Sequence, residues 1–174
     1  MTRVLIIDDH MIIRRGLRQI LSENPAIGEI SEAEDGPAAL RLLRSAAVDV
    51  ALLDIALGER DGLDLLKTLH TEFPRLGVIM LSVYPENQFA LRAIKSGAHA
   101  YLNKGCSPDI LYAAIAKVAG GGLYVTPAVA ELLALDVRGD GPGEAPPHEA
   151  LSNREFQVLQ LLSQGRSVTQ IAHQ

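Results

Sequence analysis

Three carboxylates fall where short apolar runs stop. Asp8 and Asp9 follow Val4-Leu5-Ile6-Ile7, and Asp54 closes Val48–Leu53. If these runs are neighbouring parallel strands, their carboxyl ends place the acids around one crevice, where an open α/β sheet binds ligands. Three negative charges that close stay ionised together only when a cation joins them. An all-oxygen donor set with no thiol or imidazole favours Mg²⁺. Ser82 and Lys104 end two further apolar runs. A hydroxyl and an ammonium aimed at Asp54 suit the oxygens of a phosphoryl group, whose transfer depends on positioning and charge neutralisation. Each residue taken singly has a plainer role. Asp8 or Asp9 would cap the helix beginning near His10, Asp54 or Ser82 would open a turn, and Lys104 would be a solvated charge.

The elements that must position these groups are legible as alternating patterns. Strands are expected over Arg3–Asp8, Gly28–Ala33, Val48–Asp54, Leu76–Ser82 and Ala98–Asn103. The first, third and fourth are nearly continuous in Val, Ile and Leu, as in strands covered on both faces. Helices are expected over 11–23, 37–46, 62–72, 86–96 and 108–119, with Ile13, Leu17, Ile20 and Leu21 on one face of the first. Five β-then-α units predict a flavodoxin-like α/β fold, a doubly wound five-stranded parallel sheet of order 2-1-3-4-5. Its strand order reverses between strands one and three, beside the three acids.

Composition narrows the functional classes. Lys and Arg number 16 against 21 Asp and Glu, a formal charge of −5, which does not suit coating nucleic acid through overall charge. The single cysteine, Cys106, excludes an intrachain disulfide and a cysteine-based zinc site. The five histidines, at 10, 70, 99, 148 and 173, show no metal-ligand spacing. No signal peptide or membrane-length apolar run is present, so the expected location is cytoplasmic, with no membrane partner.

Gly120-Gly121-Gly122 breaks the last helix of the βα series, and a short helical run follows from Pro127 to Leu135. Residues 138–147 hold three Gly and three Pro and read as a linker. Helical pattern returns over 151–174. Ser152 and Glu155 fit a capping box, and Phe156, Val158, Leu159, Leu161 and Leu162 form an apolar face. Gly165 supplies a stop, and a second helix begins near Ser167 with Val168, Ile171 and Ala172.

The set Asp8-Asp9, Asp54, Ser82 and Lys104, in this βα order, resembles the CheY-like receiver domain of bacterial two-component response regulators. The segments DIALGERDG (54–62) and LSVYPENQFALRAIKSGAHAYLNKG (81–105) carry the likeness over residues 1–123. The resemblance implies that Asp54 accepts a phosphoryl group from a sensor histidine kinase. It also implies that Asp9 and Asp54 ligate Mg²⁺ directly, Asp8 through water and Ala56 by its backbone carbonyl. Ser82 would bind the transferred group, Tyr101 would swing inward as Ser82 moves, and Lys104 would pair with the carboxylate before transfer and the phosphoryl group after it. The segment LSNREFQVLQLLSQGRSVTQIA (151–172) resembles the opening of the NarL/FixJ (LuxR-type) helix-turn-helix domain. The third, base-reading helix of that motif would follow Gln174. The expectation is therefore a receiver (1–123), a short helix with linker (124–150) and an incomplete helix-turn-helix (151–174). Arg154, Glu155 and Arg166 give the last segment too little charge for phosphate-driven binding. DNA binding and transcription regulation are thus expected of a full-length form only, with homodimerisation on activation. The 151–174 helices would dock on the receiver, pack against another chain or be mobile, with packing through Phe156, Leu159 and Leu162 the favoured expectation.

Four positions depart from the family or flank the site. Gly58 stands where many relatives have Pro, which would loosen the loop after Asp54. Gly105 excludes a cis-proline after Lys104. Ala56 and Tyr84 should flank the way in to Asp54. Lys104 would lower the pKa of Cys106, although a lone cysteine is usually inert packing. The chain reads as a switch and not an enzyme. A haloacid-dehalogenase-type phosphatase needs a second Asp two residues after the nucleophile, where Ala56 stands. A dinucleotide-binding fold lacks its glycine motif. A stand-alone receiver acting through protein–protein contact is the alternative.

Overall fold

The computed structural model describes residues 1–58 and 60–138. The expected linker beyond Arg138, the Ser152–Glu155 capping box and the apolar face around Phe156, Leu159 and Leu162 lie outside the described residues. The chain divides into two units, Met1–Leu133 and Ala134–Gln174. Five parallel strands build the first: β1 (Thr2–Ile7), β2 (Ile27–Ala33), β3 (Val50–Asp54), β4 (Gly77–Ser82) and β5 (Ala100–Asn103). Their order is β2-β1-β3-β4-β5, so β1 and β3 are neighbours and the order reverses between them. The connecting helices are α1 (Met11–Ser22), α2 (Gly36–Ser45), α3 (Gly62–Glu72), α4 (Glu86–Lys95) and α5 (Pro108–Ala119). A further helix, α6 (Pro127–Arg138), runs one turn beyond the expected Leu135.

Strand alternation divides the buried residues between two faces. Val4, Ile6, Val50, Leu52, Ile79, Leu81, Ala100 and Leu102 meet Leu21 of α1 and Leu111, Ala114, Ile115 and Val118 of α5. Leu5, Ile7, Ala51, Leu53, Met80 and Tyr101 occupy the opposite pleat and are essentially inaccessible, on the side covered by α2, α3 and α4. Full burial of one such aliphatic side chain contributes about 1.5–3 kcal/mol. This accounts for the apolar runs of β1, β3 and β4.

Local chemistry sets the element boundaries. Asp35 caps α2 by accepting the Ala38 N–H at 2.7 Å, and Pro37 stands in the first turn, where its missing N–H costs nothing. Pro108 opens α5 in the same way. β3, β4 and β5 begin one or two residues later than the apolar runs suggest, because loops take over the backbone there, whereas β1 and β2 begin one residue earlier. Arg3, at the start of β1, is clamped by Asp49, which accepts its backbone N–H at 2.8 Å and its Nη2 at 2.6 Å. Beyond α5, Tyr124 pairs with β5, its N–H reaching the His99 carbonyl at 2.9 Å. Thr126 then leads into α6 by accepting the Val129 N–H at 3.3 Å, while its hydroxyl donates to Glu86 at the start of α4.

Candidate functional site

β1 and β3 stop at the same level of the sheet, with Ile7 paired to Leu53. Asp8 therefore follows β1 beside Asp54, the last residue of β3. One oxygen each from Asp8, Asp9 and Asp54 and one ring nitrogen of His10 lie within 4.8 Å of one another. Asp8 and Asp54 are buried, and Asp9 faces solvent. Lys104, immediately after β5, brings its Nζ to 2.7 Å from Asp8 Oδ2 and 2.8 Å from Asp54 Oδ2. Its backbone N–H donates to the Ser82 carbonyl at 2.7 Å, so β4 helps to aim the side chain. Asp54 Oδ1 accepts the Ala56 N–H at 3.2 Å, a turn of the kind a lone Asp would make.

Burial raises the Asp54 carboxyl above its ordinary value, with Lys104 pulling the other way and Asp8 adding to the rise. Burial works against the Lys104 ammonium as well, yet hydrogen bonds to Asp54 and Asp8 carry its pKa above the usual lysine range. The geometry supports the charged ammonium, which has two carboxylates at hydrogen-bonding distance, whereas Asp54 has only half of one cation. Three carboxylates against one ammonium leave two negative charges uncompensated. A divalent cation would offset them. Oxygen–Mg²⁺ bonds of about 2.1 Å put opposite ligands about 4 Å apart, so the observed cluster fits one such ion with small adjustments.

The turn after Asp54 folds back as a two-residue antiparallel ladder, Ala56 opposite Asp61 and Leu57 opposite Arg60. Gly58 sits within this turn at φ +57°, a value closed to proline, whose ring fixes φ near −65°. Glycine at this position therefore supplies a left-handed backbone that proline cannot adopt. At the start of α3, Gly62 packs directly under the acidic residue. A Cβ there would stand 2.2 Å from the Asp54 carbonyl oxygen, so only glycine lets the helix begin this close to the β3 end.

The Tyr84 backbone links Ser82 to Tyr101: the Tyr84 N–H donates to Ser82 Oγ at 3.0 Å, and Tyr101 Oη donates to the Tyr84 carbonyl at 3.3 Å. Tyr101 already lies inside, with 1% of its surface exposed. Burial is the main cause that pushes its phenol up to about 12. Tyr84 packs on Phe89 of α4 with ring centroids 5.4 Å apart, and it feels both burial and the Asp54 charge, which raise its phenol.

Two expectations need correction. His10 joins the acidic cluster although nothing in histidine spacing announces it. Its backbone N–H donates to Asp8 Oδ1 at 2.8 Å, and this turn folds the ring back so that Nδ1 lies 2.7 Å from Asp9 Oδ1. The only advance signal was adjacency to Asp8-Asp9. Cys106 is shifted in the direction opposite to that expected: burial pushes its thiol up, because the Lys104 ammonium is directed at Asp8 and Asp54.

Comparison with known proteins gives a consistent picture. Residues 4–116 match the family model of the response regulator receiver domain. The chain is 33% identical to the response regulator UvrY of Escherichia coli over 174 residues, all of this chain and 79% of that one. It is 39% identical to the transcriptional regulatory protein UhpA of Escherichia coli over 173 residues, 99% of this chain and 81% of that one. Among solved structures, a LuxR-family two-component response regulator from Aurantimonas superposes with a TM-score of 0.71 at 27% identity, covering 79% of this chain and 99% of its own. The RcsB response regulator of Salmonella typhimurium gives 0.69 at 26% identity, covering 99% and 81%. No helix among the described residues is long and apolar enough to cross a membrane.

Proposed function

This chain belongs to the two-component response regulators, and we propose that Asp54 is its phosphoacceptor, charged by a sensor histidine kinase. The observation that carries the reading is the single ammonium of Lys104 shared by two buried carboxylates, 2.7 Å from Asp8 and 2.8 Å from Asp54. In the transfer, a carboxylate oxygen of Asp54 attacks phosphorus. The P–O bond forms as the P–N bond to the kinase imidazole breaks, and the departing ring nitrogen takes up a proton. Asp8, Asp9 and Asp54, with the Ala56 carbonyl, would hold Mg²⁺, which neutralises charge on the phosphoryl oxygens when bound.

This chain's own groups do the rest. Lys104 keeps Asp54 oriented before transfer and stays at hand to pair with phosphoryl oxygens afterwards. Charge at Asp54 rises from one negative unit to about two. The Ser82 hydroxyl then finds a strong acceptor in the new oxygens and turns toward them. That loosens the bond between Ser82 Oγ and the Tyr84 N–H and alters what Tyr84 and Tyr101 present beside α4. The output is a surface change with two states biased by a local charge. We assign residues 1–123 to the receiver, 124–150 to a connecting helix and linker, and 151–174 to the opening of a LuxR-type helix-turn-helix segment. Transcription regulation, homodimerisation on activation, a cytoplasmic location and a switching role without turnover catalysis complete the reading.

Incubation with a small-molecule phosphodonor, with and without Mg²⁺, followed by intact-mass analysis, tests the assignment. Wild type should gain one phosphoryl group in a Mg²⁺-dependent manner, and Asp54→Asn should gain none. An Asn variant labelled as readily as wild type would overturn it.

A further inference from the structure

We propose that His99 is an acid-sensitive pin: as a neutral ring it fastens the Tyr124 flank of β5 to the start of β4, and protonation of its Nδ1 frees that flank. His99 stands just before β5 and meets Val78 of β4 twice. Its backbone N–H donates to the Val78 carbonyl at 2.7 Å, and its ring Nδ1 accepts the Val78 N–H at 3.2 Å. The His99 carbonyl in turn accepts the Tyr124 N–H at 2.9 Å, beside the bridge between Ala100 and Tyr124. One half-buried residue thus ties β4 to the stretch that leads into α6, where Thr126 accepts the Val129 N–H and Val129 is buried. This pin stands at the amino end of the sheet, opposite the acids at the β1 and β3 ends, so it does not depend on phosphoryl transfer at Asp54.

A backbone N–H only donates, so Nδ1 carries the lone pair and the ring proton resides on Nε2. Protonation fills that lone pair and sets two N–H groups against each other. The ring then swings away, and the Val78 N–H loses its acceptor. Little around His99 would stabilise the cation. From α3, His70 is the ionisable group that bears on it, and the His70 ring lies on Gly97, where a Cβ would stand 2.8 Å from its Cγ and Nδ1. β4 offers Val78 and the flank offers the Tyr124 backbone, and no carboxylate pairs with His99 among the described residues. Burial and the His70 charge both hold the His99 ring below its ordinary value of 6.5. The pin is therefore whole at neutral pH and opens as pH falls below 6.5. The rival role is a plain structural histidine, whose ring titrates without consequence for Tyr124.

Nuclear magnetic resonance of the full chain between about pH 7.5 and about pH 5 separates these roles. Long-range nitrogen–proton spectra follow the His99 ring. Amide exchange, corrected for its intrinsic pH dependence, follows Val78 and Tyr124. In wild type the protection of both amides should fall by about fivefold, the weight of one backbone hydrogen bond, at the pH where the ring titrates. His99→Asn puts an uncharged carbonyl oxygen in place of Nδ1 and should leave the protection level with pH, with circular dichroism checking the fold. Tyr124 protection that stays level while the wild-type His99 ring titrates would overturn the proposal. So would an equal fall in folded His99→Asn, which would assign the effect to another group. If the variant does not fold, the coincidence of ring titration and Tyr124 exchange in wild type decides alone.

Discussion

Replacing Lys104 with Met retains an apolar stem and removes the charge shared by Asp8 and Asp54. The three side chains expose only 12%, 2% and 3% of their surface, so solvent replaces little of what is lost. At an effective dielectric of about 20, each contact at 2.7–2.8 Å represents about 6 kcal/mol of attraction. Lost hydration of several kcal/mol per ion cancels most of that gain. What remains is the cost of stranding two buried carboxylates face to face, about 3–5 kcal/mol when one partner of a buried pair is removed. Urea unfolding of Lys104→Met at neutral pH in a chelating buffer should show that loss. Saturating Mg²⁺ should restore more stability to the variant than it adds to wild type. The variant's cluster carries one more uncompensated negative charge and so binds a cation more tightly, and a ligand stabilises in proportion to RT ln(1 + [L]/Kd). A loss below about 1 kcal/mol, the ordinary value of an exposed pair, or equal gains from Mg²⁺, would refute the reasoning.

Three further outcomes are expected. Hydrogen bonds from the Arg3 side chain and backbone hold the Asp49 carboxyl below its ordinary value of 3.8. The stability difference between wild type and Asp49→Asn should be present above pH 3.8 and close as pH falls through the depressed folded value; a difference independent of pH by chemical denaturation would contradict this. Gly62→Ala forces a methyl against the Asp54 and Ile55 backbone, with contacts of 2.2 and 2.9 Å, and should cost about 1–3 kcal/mol while slowing phosphoryl uptake at Asp54. Wild-type stability and labelling rate in that variant would show that the α3 start yields freely. In an ultraviolet titration of the four tyrosines, the step at about 12 should vanish in Tyr101→Phe. Its persistence would assign that step to another ring.

The framework was legible because its signals are repetitive. The Val, Ile and Leu runs of β1, β3 and β4 announce strands buried on both faces, and the acids at their ends fall together once the parallel order is drawn. Lys104 was legible as a strand-end charge, and its convergence on both Asp8 and Asp54 agrees with the sheet order. What escaped depends on geometry that no periodicity encodes. His10 reaches the cluster through one turn made by the Asp8 side chain. The Arg3–Asp49 clamp joins residues 46 positions apart. The direction of the Cys106 shift depends on where the Lys104 side chain points, and sequence proximity suggested the wrong neighbour. At Gly58 residue type alone does not report the positive φ that the backbone adopts.

The two borders of the sheet carry one last consequence. At β2, Arg18 donates to the outward carbonyl of Ile30 and pairs with Glu32, while Glu29 stands exposed on the same strand. At β5, only four residues long, Tyr124 already occupies the flank. Among the described residues, each margin is thus partly occupied or charged, which disfavours pairing with a foreign strand. A strand arriving at either border would have to displace these side chains and residues before it could add to the sheet.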